Sequence, residues 1–192
     1  MSAVIDRPQR HAVSTQEYLR MGEAGIFAPE TRLELIDGEV IEMSPIGSRH
    51  AGAVKFLNTL FVQRAGERAL VSVQDPLVVG DYSVPEPDLA LLKRHADNRY
   101  YARSHPTAAD VLLVVEVADT TLAYDSDVKV PMYARAGVPE VWIVALQDRT
   151  IRVFRDPDAG DYRTRRTIAG AESATVQALP DIVVGLPDLF AT

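Results

Sequence analysis

The fold is decided by the stretch Val111-Leu112-Leu113-Val114-Val115-Glu116-Val117, an apolar, largely β-branched run with one carboxylate near its end. Such a run is typical of a strand that is covered on both faces of a sheet. An ionised glutamate there costs on the order of several kcal/mol unless a cation, a metal or hydrogen bonds replace the lost water. Glu116 therefore predicts a partner close to the end of this strand.

Two candidate partners lie nearby in the sequence. Lys129 belongs to the helical segment that follows, and Asp88 lies in Pro87-Asp88-Leu89-Ala90-Leu91-Leu92, which is predicted to be a neighbouring strand. Two carboxylates and a lysine at strand ends suit a hard divalent cation. Two other interpretations stay open: Glu116 and Lys129 as a structural ion pair, and Asp88 as an ordinary strand-end residue.

A helix and a further strand are predicted after Val117. Asp119-Thr120-Thr121 and Asp125 offer helix caps, and Gly137 ends the helix after Ala136. Pro131 conflicts with a regular helix interior, so the helix either begins late, with Lys129 in its first turn, or bends there. The next strand, from Glu140 to Leu146, contains the only tryptophan.

Turn and capping signals predict the remaining elements. Asp37-Gly38 supplies the positive φ angles of a two-residue hairpin turn, and Ser14 and Ser48 can cap helices. The predicted elements are a short helix from Ser14, a hairpin over 32–43, a helix from Ser48 to about Arg64, adjacent strands within 69–79 and 87–92, a hairpin of 150–154 with 162–168, and a tail over 175–190 with one strand and two Leu-Pro turns.

Composition limits the kind of protein. With 192 residues, of which 47% are hydrophobic, the chain can build one core, and we expect a flexible arm over 1–13 and a single domain over 14–192.

The chain has no cysteine, so a metal must be held by oxygen or histidine, which favours Mg²⁺ or Mn²⁺ over structural zinc. No apolar run approaches ~20 residues, so we expect a cytoplasmic protein and no membrane partner. The net charge of −7 argues against a protein that coats nucleic acid but permits a local basic surface.

Several motifs together resemble the Uma-type family of putative restriction endonucleases. They are Glu34-Leu35-Ile36-Asp37-Gly38, His50, Pro87-Asp88, Val115-Glu116-Val117, Tyr124-Asp125, Lys129 and Tyr133-Ala134-Arg135-Ala136-Gly137-Val138-Pro139-Glu140-Val141-Trp142. The resemblance implies an α/β (α+β) fold of the PD-(D/E)XK nuclease type. This is a restriction-endonuclease-like mixed β-sheet of four or five strands flanked by helices, here with extra N-terminal and C-terminal β-hairpins.

The resemblance also implies roles for individual residues. Asp88 and Glu116 would bind Mg²⁺ or Mn²⁺ together with the backbone carbonyl of Val117, and Lys129 would complete the catalytic set. The superfamily usually places its lysine two residues after the glutamate, where this chain has Ala118. Lys129 can replace it only if the helix directs its ammonium group back to the strand end.

Auxiliary roles are implied for Glu34, His50, Asp127 and Tyr133. Each also has a structural interpretation: His50 as a packing or surface histidine, Glu34 as an outward hairpin carboxylate, and Tyr133 as a core residue.

A basic loop joins the strands that carry Asp88 and Glu116, so we expect it to project beside the site. It runs from Lys93 to His105 and holds four cationic side chains against one aspartate. Arg94, Arg99, Arg103 and Tyr100 are the candidate nucleic-acid contacts, because arginine binds phosphate and tyrosine stacks on bases. The arginine-rich hairpin after residue 149 could extend this surface; a merely solvated loop is the alternative.

The leading hypothesis is a Mg²⁺- or Mn²⁺-dependent endonuclease that hydrolyses DNA phosphodiester bonds. We expect a homodimer because two sites cut two strands most simply. One alternative is a catalytically inactive nucleic-acid- or protein-binding domain on the nuclease scaffold. Another is a hydrolase of small phosphate esters, which a narrow pocket would favour.

Overall fold

A six-stranded mixed sheet forms the centre of the computed structural model, which describes residues 10–28, 30–95 and 101–191. In chain order the elements are α1 (Thr15–Glu23), β1 (Leu33–Ile36), β2 (Glu39–Glu42), α2 (Ser48–Ala65), β3 (Leu70–Ser72), β4 (Leu89–Leu92), β5 (Val111–Ala118), α3 (Leu122–Tyr124), a π-helical turn (Asp125–Lys129), α4 (Val130–Arg135), β6 (Glu140–Ala145), β7 (Thr150–Asp158), β8 (Asp161–Ile168), β9 (Ser173–Val176), β10 (Leu179–Gly185) and α5 (Leu186–Leu189). This confirms the predicted mixed sheet with flanking helices.

The strands of the central sheet follow the order β3-β4-β5-β6-β7-β8. Strands β5 and β6 are parallel, with Glu116 paired to Ile143, and the other neighbours are antiparallel. The parallel pair needs a crossover, which the α3–α4 segment supplies. The predicted hairpin over 150–168 forms as β7 and β8, and it pairs with β6 as part of the main sheet. The sheet therefore has six strands, more than the four or five expected.

Alternation along β5 sends its side chains into two separate cores. Leu113, Val115 and Val117 belong to one core, into which α2 inserts Leu57 and Phe61 and which the C-terminal β9–β10 hairpin closes. Val114 and Ala118 belong to the other core, which is covered by α4. Glu116 shares the face of Val114 and Ala118, so its carboxylate lies on the α4 side of the sheet.

Pro131 does not delay the start of the helix as predicted; the chain is helical from Leu122 onward and widens into the π-helical turn before the proline. The N–H of Val130 reaches back five residues to the carbonyl of Asp125. A proline ring has no N–H and would clash with the carbonyl four residues earlier, and a wider turn relieves that clash. Asp125 and Lys129, at the two ends of the turn, are both buried.

The N-terminal elements match the sequence signals. Ser14 and Glu17 form a complete capping box at α1, and Asp37 and Gly38 take φ angles of 47° and 84° in the β1–β2 turn. A side chain at Gly38 would also meet Ala12, since a Cβ there would lie 2.7 Å from the Ala12 Cβ. The N-cap of α2 is Gly47, not Ser48, and Gly47 caps without a side chain.

Two further expectations need correction. Within 69–79 only Leu70–Ser72 forms a strand, and the rest runs irregularly towards β4. In the tail, Leu179-Pro180 begins β10 instead of forming a turn, since proline is tolerated at the start of a strand on a sheet edge. Residues 1–9 of the predicted arm lie outside the described residues, whereas the Val13 N–H bonds to the Gly38 carbonyl at 2.9 Å. Among the described residues, no helix is long and apolar enough to cross a membrane.

Candidate active site

Asp88 and Glu116 meet at one end of the sheet. Strands β4 and β5 pair Leu89 with Val115, and Asp88 and Glu116 adjoin this pair at the same end of the sheet. Asp88 itself precedes β4 and lies outside its ladder. Because the backbone N–H of Val117 bonds to the Asp88 carboxylate and both carboxylates line one cavity, the two acidic residues predicted from the sequence are close neighbours.

Three donors hold the Asp88 carboxylate. Oδ2 accepts from Nε2 of His50 at 2.9 Å and from the backbone N–H of Val117 at 2.8 Å, while Oδ1 accepts from Gln74 at 3.1 Å. Burial alone would raise the pKa of Asp88, but the bonds from His50 and from the other two donors outweigh it and lower the pKa. Asp88 is therefore a buried, ionised carboxylate, and His50 is its partner.

The backbone carbonyl of Val117 also points into this site. The N–H and C=O of one strand residue lie on the same side of the strand, and the Val117 N–H points towards Asp88. The neighbouring carbonyl of Ala118 points the other way, where it accepts from the N–H of Leu146. The Val117 carbonyl accordingly faces the region beyond the start of β4, next to Asp88.

Lys129 lies between two carboxylates. Its Nζ is 3.2 Å from Oε1 of Glu116 and 3.0 Å from Oε1 of Glu34, which comes from β1. Glu34 is held in turn by the backbone N–H of Glu86 at 2.9 Å. Lys129 is only 2% exposed, and although burial lowers its pKa, the charges of Glu116 and Glu34 raise it above the ordinary value. The lysine on the helix is thus directed back to the strand end, as the relocated position requires.

Tyr133 completes the environment of Glu116. It lies one helical turn after Lys129, is fully buried, and donates its hydroxyl hydrogen to Oε1 of Glu116 at 2.7 Å. Burial raises the pKa of Glu116 to about 8; Lys129 opposes this shift, and the nearby carboxylates add to it. Both donors that the described residues offer to Glu116 engage Oε1, so Oε2 is the oxygen available to another ligand.

These side chains line a cavity of about 230 Å³, here named the acidic cavity. Six carboxylates and two basic side chains contribute to its wall: Glu34, Glu86, Asp88, Glu116, Asp119 and Asp125, with Arg32 and Lys129. Burial raises the pKa of Asp125; the hydrogen bond from Thr121 and the charge of Lys129 oppose this shift, and the charges of Asp88 and Glu34 add to it. An acidic cavity that is not fully balanced by cationic side chains favours a bound cation.

The donor set suits a hard divalent cation. Among the described residues, no group of three or more His, Asp or Glu side chains is arranged to hold a metal by itself. Mg²⁺ does not require such a cage, because it is commonly bound by one or two carboxylates and keeps water or substrate oxygens as its other ligands. Asp88, Oε2 of Glu116 and the Val117 carbonyl fit that pattern.

Sequence reasoning missed some of the acidic residues. Asp125 was interpreted as a helix cap and as part of the Tyr124-Asp125 motif but was given no role in the site, yet it lines the cavity. Its spacing of four residues from Lys129 could have revealed a shared helix face. Asp127, the predicted auxiliary residue, is instead exposed on the outer side of the π-helical turn. Glu86 carries no such signal, because its position depends on the pairing of its N–H with Glu34.

The described parts of the basic loop, 93–95 and 101–105, do not lie beside the carboxylates, so the position predicted for them is wrong. Because β4 and β5 are antiparallel, Leu92 and Val111, between which the loop runs, lie at one end of the strands, and Asp88 and Glu116 lie at the other. Arg94 pairs with Glu67 at 2.9 Å, and Arg103 lines a different groove, next to α1. The predicted contacts Arg99 and Tyr100 fall outside the described residues.

Comparison with known proteins gives a family and a fold. The family model Uma2, described as "putative restriction endonuclease", matches residues 15–187. No curated protein matches the chain. A solved structure of a putative nuclease belonging to DUF820, from Anabaena variabilis, has a TM-score of 0.74 at 16% identity and covers 93% of this chain and 98% of its own. The type IIG restriction endonuclease BpuSI covers 64% of this chain and 14% of its own at 16% identity, with a TM-score of only 0.38.

Proposed function

Because the chain belongs to the Uma2 family of putative restriction endonucleases, we propose that it is a metal-dependent nuclease that hydrolyses phosphodiester bonds of DNA. The observation that carries the proposal is the convergence of Asp88, Glu116 and Lys129 on one cavity wall. Asp88 directly precedes β4, Glu116 lies near the end of the neighbouring β5, and Lys129 comes from the crossover helix.

Asp88, Glu116 and the Val117 carbonyl would hold Mg²⁺ or Mn²⁺. When bound, such a cation supplies hydroxide at neutral pH and neutralises charge on the phosphoryl oxygens. His50 and the Val117 N–H keep the Asp88 carboxylate ionised and oriented. Lys129, as an ammonium donor, would orient the attacking water or stabilise negative charge that develops on the phosphate. Burial of all these groups restricts bulk water and strengthens each electrostatic interaction.

Plasmid cleavage tests the proposal. Purified protein is incubated with supercoiled DNA and Mg²⁺ or Mn²⁺ beside Asp88→Ala and Glu116→Ala, with circular dichroism to verify folding. Glu39→Ala is a matched control, because Glu39 is an exposed carboxylate on β2 outside the acidic cavity. We expect cleavage by the wild type and the control only. Cleavage that survives both cavity substitutions would assign the activity to another site or to a contaminant.

The products also test the proposed homodimer. Two sites in one assembly would yield linear plasmid without accumulated nicked circles, whereas a single site would nick one strand at a time. Light scattering of the purified protein gives the oligomeric state independently.

A second candidate is a catalytically inactive binding domain on the same scaffold. The burial of Lys129 between Glu34 and Glu116 favours it, because the same contacts would serve a purely structural ion pair. Titration calorimetry separates the two functions. A nuclease site binds Mn²⁺ in the wild type and loses it in Glu116→Ala, whereas an inactive scaffold shows no binding in either.

The size of the acidic cavity favours a third candidate, a hydrolase of small phosphodiesters. A volume of about 230 Å³ is at the small end for a ligand site. Cleavage of bis(p-nitrophenyl) phosphate but of neither duplex nor single-stranded DNA would identify this function.

A further inference from the structure

The π-helical turn contributes to two different cavities. Asp125 and Lys129 line the acidic cavity, whereas Ser126 and Asp127 line a groove of about 620 Å³. We name this second space the arginine groove and define it by Ser126, Asp127, Asp148, Arg152, Arg165 and Arg166. The two spaces are thus neighbours that share one turn of helix as a wall.

The floor of the arginine groove is the outer part of the central sheet. Arg152 pairs with Thr167 and Phe154 with Arg165 across β7 and β8, so these side chains share one face. Phe154 belongs to the core that α4 covers, and Arg165 lies over its ring at 5.9 Å. Arg152 and Arg165 therefore lie on the same face of the sheet as Glu116, whereas Arg166, which pairs with Val153, has the orientation of the opposite face.

The groove also lies at the correct end of the sheet. Ala118 at the end of β5 pairs with Ala145 of β6, which in turn pairs with Thr150 at the start of β7. Arg152 is two residues beyond Thr150, whereas the loop after β4 leaves from the opposite end. Arg152 and Arg165 thus provide cationic side chains on the face that carries Glu116 and towards the end of the sheet where the acidic cavity lies.

Among the described residues, the charged partners of these arginines are exposed carboxylates, and Arg165 also contacts the Phe154 ring. Arg152 lies 3.3 Å from Asp148, Arg165 contacts Asp161, and Arg166 lies 2.6 Å from Glu172. Exposed pairs of this kind contribute little to stability and are screened by salt. A phosphate group can therefore replace these carboxylates at low cost.

Charge distinguishes the two neighbouring spaces. Three guanidinium groups and two carboxylates line the arginine groove, whereas six carboxylates and two basic side chains line the acidic cavity. A polyanion is repelled from the acidic cavity when no cation is bound there, but it is attracted to the groove next to it. A substrate with phosphates on both sides of the reacting bond needs such a second contact.

We propose that the arginine groove binds the sugar–phosphate backbone of DNA next to the bond held in the acidic cavity. The proposal rests on the proposed nuclease function and names the surface through which the substrate is held. It assigns Arg152 and Arg165 as phosphate contacts on the sheet face.

Binding, measured without cleavage, tests this assignment. All variants carry Asp88→Ala, the buffer contains EDTA, and the probe is a short fluorescent DNA duplex followed by anisotropy across a salt series. Arg152→Gln with Arg165→Gln should weaken binding at least about tenfold and reduce the slope of log K against log salt by about two, since each phosphate contact contributes about 0.9. Thermal melts confirm that the variants fold.

Arg163→Gln is the matched control. Arg163 is an exposed arginine on the same strand that pairs with Asp158 at the other end of the hairpin, outside the groove. We expect wild-type affinity and slope for this control. If the groove variant has the same affinity and salt slope as the control, the proposal is overturned. It is also overturned if polyglutamate displaces the labelled DNA as readily as unlabelled duplex does.

A second assay keeps this result separate from the proposed function. Bis(p-nitrophenyl) phosphate with Mn²⁺ reports on the acidic cavity alone, in a background with Asp88 intact. If the groove variant hydrolyses this ester like the wild type but cleaves plasmid poorly, both proposals are supported. If no substrate is hydrolysed but DNA binding still depends on Arg152 and Arg165, the nuclease proposal fails and the groove assignment stands.

Discussion

Lys129 Nζ lies 3.2 Å from Oε1 of Glu116, although the lysine is on the crossover helix and the glutamate is on the central strand. The position two residues after Glu116 is Ala118, which is buried on the same face. The ammonium group thus reaches the strand end from the helix layer above the sheet. Because Lys129 and Glu116 lie on different elements, Lys129 can be substituted without changing the strand that carries Glu116, and its role can be tested separately.

Replacing Lys129 with methionine should destabilise the fold and abolish nuclease activity. Removal of one partner from a buried ion pair costs about 3–5 kcal/mol because the remaining carboxylates lose their counter-charge. Adding Glu34→Gln should recover much of the free energy of unfolding, measured by urea denaturation, because it removes one of those carboxylates. Cleavage should not return in the double variant; recovery of cleavage together with stability would show that Lys129 has only a structural role.

Tyr133→Phe should weaken Mn²⁺ binding several-fold as well as lower stability. The substitution removes the hydroxyl that fixes Oε1 of Glu116, and a lost hydrogen bond to a buried carboxylate costs about 1–3 kcal/mol. Tyr162→Phe is the matched control, because Tyr162 is a buried tyrosine that donates to the Val138 carbonyl at 2.8 Å, away from the acidic cavity. Calorimetry with Mn²⁺ should distinguish the two variants even where their melting temperatures agree. Equal Mn²⁺ affinity in both would remove Tyr133 from the metal environment.

His50→Ala should lower Mn²⁺ affinity by about tenfold or more, the usual effect of removing a side chain that orients a metal ligand. Asp88 would lose one of the donors that fix its carboxylate. His50→Gln retains a donor and should recover part of the affinity. His95→Ala serves as the control, since His95 is an exposed histidine that pairs with Asp110. If His50→Ala and His95→Ala have the same Mn²⁺ affinity, the hydrogen bond between His50 and Asp88 does not contribute to metal binding.

The stability of the metal-free protein should fall as pH rises from about 4.5 to about 8. Burial raises the pKa of Glu116 from its ordinary value of 4.5 to about 8, so in this range the folded chain binds a proton that the unfolded chain has released. One proton corresponds to a slope of up to about 1.4 kcal/mol per pH unit. The shift at Asp88 has the opposite sign, and its stabilisation is lost only at acidic pH, below the ordinary value of 3.8.

Urea denaturation across this pH range in EDTA measures the slope, and Glu116→Gln should reduce it; the raised pKa of Asp125 leaves a remaining slope of the same sign. Mn²⁺ should restore stability most strongly near pH 8, because the cation takes the place of the proton on the carboxylate. An identical pH profile in the wild type and Glu116→Gln would contradict the raised pKa.

Local patterns were enough to predict most elements of this fold. The β5 strand, the α1 capping box and the Asp37-Gly38 hairpin each depend on neighbouring residues, whose side-chain periodicity and backbone preferences the sequence displays directly. The proximity of Asp88 and Glu116 was also predictable, because both lie at the ends of recognisable adjacent strands.

Long-range packing decided the rest. The position of the basic loop depends on the antiparallel pairing of β4 with β5, and Glu34 meets Lys129 across 95 residues of chain. The π-helical turn, in which Asp125 is buried and Asp127 is exposed, forms just before Pro131. The wider turn relieves the clash between the proline ring and the carbonyl four residues earlier. A sequence displays which side chains alternate along one element, but only the tertiary structure sets the register and distance between elements, and these decide which charges share a cavity.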